Sequence, residues 1–168
     1  MKNIEKLRQP EESGKYLFHG SPYGTIKVLE PRQSTHTPDL SKLEDTILDG
    51  EPAVSATPYA DIATFRSLIN HKNIPYDHSS GFGVNAKGEK NFQVSSQEVL
   101  ETIKNKKGFV YVFDRKEFRP FSRDGEAKES NMEWRAYTPV KPVDIVEVNH
   151  EDLPPRDKIK ISTSDDQE

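Results

Sequence analysis

Tyr16-Leu17-Phe18-His19-Gly20-Ser21 is a short apolar run that stops abruptly at a histidine, a glycine and a serine. Its residues predict a β-strand over Lys15 to His19, which sets the imidazole at the lip of a sheet. The glycine lets the backbone come close to whatever the histidine holds. A histidine in that place either bonds to loop backbone or anchors a ligand at the mouth of a cleft.

Working outward, Gly24 to Leu29 is apolar at alternate positions and is stopped by Glu30-Pro31-Arg32. Gln33 to Glu51 reads as a polar loop with one short helical turn around Leu40 to Leu48. A connection of that length tends to carry function or to move. Pro52 to Ala56 is a short buried strand. Thr57 then reads as an N-cap with Pro58 at the first helical position. Ile62, Phe65, Leu68 and Ile69 follow at spacings of three and four, which predicts an amphipathic helix over Tyr59 to Asn70. Phe82 to Asn85 and Asn91 to Val94 flank Lys87-Gly88 as a hairpin, and Gln97 to Lys104 forms a short helix. Phe109-Val110-Tyr111-Val112-Phe113 is apolar on both faces and belongs at the centre of a sheet. Glu117 to Phe121 is expected to pair with it. Glu133 to Tyr137 and Val143 to Val148 are two further strands. Runs of strands with a few helices argue an α+β fold. Residues 1–14 read as a polar arm, 15–152 as a single domain and 153–168 as a flexible tail.

The 168 residues are 32% hydrophobic and 31% charged, so the expected core is modest. A net charge of −4 supplies no domain-wide positive field for a phosphate backbone, although a local basic groove is compatible with it. With no cysteine, disulfides, thiol nucleophiles and zinc ribbons are all excluded. No apolar run reaches membrane-spanning length and the start lacks a signal-peptide core, so the expected compartment is the cytoplasm. A substrate of a specialised secretion system would read the same.

Two further groups could carry chemistry. Glu133 lies beside Trp134, the only tryptophan, and low-dielectric surroundings would strengthen its contact with a developing positive charge. Thr57-Pro58-Tyr59 opens the helix, and a helix N-terminus facing a cleft favours anions such as phosphate. Gly81-Phe82-Gly83 with Gly88 lacks the ending of a phosphate loop. His71 and His78 have no carboxylate cluster near them, so no metal site is expected.

In this order the pieces resemble the ADP-ribosyltransferase family, in the His-Tyr-Glu branch of poly-ADP-ribose polymerases and diphtheria-type toxins. Leu17-Phe18-His19-Gly20-Ser21 is similar to that family's first motif. Val54-Ser55-Ala56-Thr57-Pro58-Tyr59 resembles the segment leading into the helix behind its site. The resemblance implies a split antiparallel sheet with a few helices around an NAD cleft. It also implies that His19, Gly20 and Ser21 hold NAD, that Tyr59 or Phe65 stacks on nicotinamide, and that Glu133 is catalytic. Glu133 is preferred to Glu126 and Glu129 by its strand position. Arg32 is the expected diphosphate contact. NAD is then the substrate, no metal takes part, and ADP-ribose passes to a protein, nucleic-acid or small-molecule acceptor. Two other functions stay open on the same fold. One is a non-catalytic NAD-binding or protein-interaction module. The other is an NAD-dependent RNA 2′-phosphotransferase, for which His36 and Arg32 are the nearby candidates.

Overall fold

The computed structural model describes residues 2–33, 35–36, 47–48, 51–123 and 125–162, with backbone alone at 35–36 and 47–48. In chain order its first elements are a 3-10 turn Asn3–Leu7, α1 Arg8–Ser13, β1 Tyr16–Ser21, β2 Thr35–His36 and β3 Ile47–Leu48. Then come β4 Val54–Ala56, α2 Ala60–Leu68, β5 Ser80–Val84, β6 Lys90–Val94 and α3 Gln97–Thr102. The second half holds β7 Gly108–Asp114, β8 Arg119–Phe121, β9 Glu133–Ala136, β10 Asp144–Val148 and β11 Ile159–Ile161. The architecture is α+β.

β7 is the central strand of the first sheet, antiparallel to β1 on one side and to β10 on the other. Its apolar residues on both faces explain this, since Val110, Tyr111, Val112 and Phe113 are all buried. Helix α2 crosses β1 and β7 at close range. A Cβ on Gly20 would lie 2.0 Å from the Ala63 carbonyl oxygen, and one on Gly108 would lie 2.2 Å from Ser67 Oγ. The space left open by Gly20 therefore belongs to the helix backbone rather than to a ligand. From that seat α2 sends Ile62, Phe65 and Leu68 into one core cluster and Ala60 and Ala63 into another, beside Phe18 and Val110.

A second sheet runs β4-β9-β8 and a third runs β11-β6-β5. First and second sheets meet where Phe18 and Thr57 exchange backbone hydrogen bonds of 2.8 Å each. That junction is what sets the end of β1 beside β4. No helix of the described residues is long and apolar enough to cross a membrane.

Several expectations are corrected. Gly24 to Leu29 forms no strand; it contributes one isolated bridge, Leu29 to Val140. β8 pairs with β9 and not with β7, because β10 and β1 already fill both edges of β7. Helix α2 begins at Ala60, not Tyr59, and ends at Leu68. Thr57 is not its N-cap and Pro58 not its first residue: Thr57 pairs as extended backbone with Phe18, and Tyr59 takes the N-cap position without a side-chain bond. Thr57 Oγ1 still accepts from the Tyr59 N–H at 3.2 Å.

The domain limits also shift. Residues 153–162 are part of the fold, since β11 pairs in parallel with β6 and buries Ile159. The polar arm is likewise packed: Ile4 and Leu7 are buried, and the Ile4 N–H donates to Asp152 Oδ1 at 2.8 Å. Most of the long loop read over Gln33 to Glu51 lies outside the described residues, as do 163–168. The Ile47–Leu48 end of its expected helical turn is instead extended and paired with Thr35–His36.

Candidate functional site

His19, half-buried two residues before the end of β1, is fixed by a 2.7 Å hydrogen bond between Nδ1 and the Ser55 carbonyl. Burial pushes its pKa down to about 4, and the positive fields of Arg66 and Arg32 push the same way, against the opposing pull of the Ser55 bond. The ring is therefore neutral near pH 7. A carbonyl can only accept, so Nδ1 carries the hydrogen and donates. Nε2 is left with its lone pair, ready to accept from a hydroxyl.

Ser55 has a second task. Its Oγ donates to Glu133 Oε2 at 2.8 Å. The β4–β9 register explains the meeting: Ser55 stands opposite Arg135, and Glu133 lies two residues earlier on the same face. Arg135 Nε also donates to Glu133 Oε2, at 2.7 Å. Through one serine, then, the structure brings His19 and Glu133 together. Trp134 points to the opposite face, into the core cluster with Val54 and Ala56. Glu133 thus meets a hydroxyl and a guanidinium rather than the apolar surroundings expected from its tryptophan neighbour.

A cavity of about 350 Å³ is lined among others by His19, Ser21, Tyr23, Arg32, Ser55 and Arg66; Glu133 lies outside its lining and is linked to it through Ser55. Arg32 is held at its wall by paired backbone bonds with Ala53. Arg66 comes from α2, is exposed, and carries the permanent charge of a guanidinium into the cavity wall. Tyr23 is 53% exposed at the lip. Its backbone is nonetheless held on both sides, since the Tyr23 N–H donates to Ser21 Oγ and the Tyr111 hydroxyl donates to the Tyr23 carbonyl. The Lys72 ammonium lies 4.8 Å from the Tyr23 ring centre. Larger hollows of about 510 and 640 Å³ lie near the N-terminal arm and around Trp134. Neither is lined by a histidine.

Other expected residues fall elsewhere. Gly20 lines the cavity but owes its lack of a side chain to α2. Phe65 is 1% exposed, between the rings of Phe82 and Phe92, and offers no surface to a ligand. Tyr59 is outside the cavity lining; its hydroxyl donates to the Ser130 carbonyl at 3.0 Å. The start of α2 is not open to an anion either, because Glu11 Oε2 already accepts from the Ala60 N–H at 2.6 Å. Among the described residues no three histidines or carboxylates gather as metal ligands. His36 contributes only its backbone to the description.

Tyr23, Ser55, Arg66 and Arg135 are the site residues that sequence reasoning passed over. Arg66 stands on the polar side of a helix already recognised, and Arg135 stands two residues from Glu133 on a recognised strand. Both had a signal in strand and helix periodicity. Tyr23 had none, because its region forms no regular element.

No protein-family model matches the chain, and neither a curated protein nor a solved structure matches it.

Proposed function

We propose that the chain is an NAD-dependent ADP-ribosyltransferase, built on a split sheet whose two halves meet at Phe18 and Thr57. The observation that supports this reading is that Ser55, in the cavity wall, holds a neutral histidine by its carbonyl and a carboxylate by its hydroxyl.

Each group has a part that its chemistry suits. Nε2 of His19 accepts a hydrogen bond from a ribose hydroxyl. Arg32 and Arg66 neutralise a diphosphate, and guanidinium groups suit phosphate oxygens. Tyr23 offers a flat face to a base at the lip. Glu133 Oε1 faces the ribose that loses nicotinamide. As the bond from C1 to the ring nitrogen breaks, the nitrogen keeps the electron pair and the sugar gains positive charge. A fixed carboxylate stabilises that charge more in the transition state than in the ground state. The acceptor nucleophile then bonds to C1 and gives up its proton to solvent, as nicotinamide leaves with the electron pair of the broken bond. That nucleophile is a protein, nucleic-acid or small-molecule group, or water.

The test is turnover of labelled NAD by the wild type and by Glu133→Gln. The expected result is about a hundredfold lower rate in the variant, with binding of ADP-ribose retained. Undiminished turnover would remove Glu133 from its role. Binding of NAD by a wild type with no turnover would favour a non-catalytic module.

A further inference from the structure

We propose that Arg135 is a positioning residue, which fixes the Glu133 carboxylate by tethering Oε2 and leaves Oε1 for a ligand. The role rests on the reading of Glu133 given above.

Three observations converge on it. Among the described residues, the two donors to Glu133, Ser55 Oγ at 2.8 Å and Arg135 Nε at 2.7 Å, reach the same oxygen. Arg135 is itself held: it is 2% exposed, and its guanidinium carbon lies 3.6 Å from the centre of the Phe121 ring. Phe121 stands opposite Glu133 in the β8–β9 register, so ring, guanidinium and carboxylate share one face of the sheet. A charge-assisted bond from a donor that cannot swing away sets direction as well as distance. The Glu133 side chain remains 30% exposed, so the free oxygen has an open approach. A lysine cannot reproduce this arrangement, because its ammonium has no planar fork to lay on the ring.

The test combines two measurements on wild type, Arg135→Lys and Arg135→Met, with folding checked by thermal melting. The first is the carboxyl ¹³C resonance of Glu133 in the resting protein, assigned by its loss in Glu133→Gln. We expect it to move or broaden in both Arg135 variants, and a resonance that stays in place would overturn the proposal. The second is NAD turnover. We expect kcat to fall about tenfold to a hundredfold in Arg135→Met with KM nearly unchanged, and partial recovery in Arg135→Lys. A rise in KM at constant kcat would assign Arg135 to substrate binding and overturn the positioning role. If the wild type does not turn over NAD, the functional reading fails, while the resonance still decides whether Arg135 sets the carboxylate. Should Arg135→Met not fold, the lysine variant carries both measurements.

Discussion

Ser55 is where the chemistry of the site is decided residue by residue. Its carbonyl fixes the tautomer of His19 and its hydroxyl fixes one oxygen of Glu133. The histidine then has a measurable cost in acid. In the unfolded chain the ring takes its proton at about pH 6.5, and in the folded chain only at about 4. Between those values the unfolded state holds the extra proton, so stability falls as pH drops through this window. Above it the contribution is fully present, and below it nothing further is lost. At about 1.4 kcal/mol per pKa unit the loss is on the order of 3 kcal/mol. Urea unfolding of wild type and His19→Gln near pH 7 and near pH 5 checks this. The wild type should lose more stability than the variant on acidification, and an equal loss in both would mean that His19 is not the group responsible.

At the scale of elements, the helix behind the site is held by the N-terminal arm. Glu11 accepts from the first N–H of α2, while Arg8 bridges Glu11 at 3.4 Å and Asp61 at 3.3 Å. A carboxylate on an orphan N–H at a helix start is worth about 1 kcal/mol, combining the cap with the helix dipole. Glu11→Gln should lower the unfolding free energy by roughly that amount, whereas Glu12→Gln, which makes no such bond, should leave it within about 0.5 kcal/mol. Chemical denaturation of both variants checks it. The same helix marks the limit of what sequence can tell. Its apolar spacing at Ile62, Phe65 and Leu68 was legible because helical period is local. Its start was not, because Thr57 is claimed by Phe18 and the cap arrives from 49 residues away. For the same reason the central place of β7 could be read from its own residues, while the partner of β8 could not. In the cavity wall, His19 and Arg32 were legible as strand-end or turn residues, and Glu133, held by Ser55, as a strand residue. Phe65 was misread because a helix period gives the buried face without saying what buries it.

At the scale of the whole molecule, the sheets divide the work. β1, β4 and β9 hold His19, Ser55 and Glu133, while β5, β6 and β11 close the core on the other flank of α2. That core takes Ile62, Phe65 and Leu68 from α2 together with Phe92, Val94 and Ile159. β11 follows Pro154-Pro155 and only three residues pair, so its polar, proline-rich setting hid a strand whose partner is β6, far earlier in the chain. Ending the chain after Asp152 would keep the bond from Ile4 to Asp152 and remove Ile159, which is 3% exposed. Exposing that edge and opening that space should cost about 2–5 kcal/mol, or a fall in Tm of about 5 °C or more. The site should survive, because the hydrogen bonds that join His19, Ser55 and Glu133 lie, among the described residues, wholly before Asp152. Thermal melting and an NMR titration of the truncated protein test both halves together: Tm should drop while the His19 ring still titrates near pH 4, as in the full chain. An unchanged Tm would show β11 to be dispensable to the fold. A His19 that titrates near its ordinary value in the truncated protein would show that the two flanks of α2 form one cooperative unit.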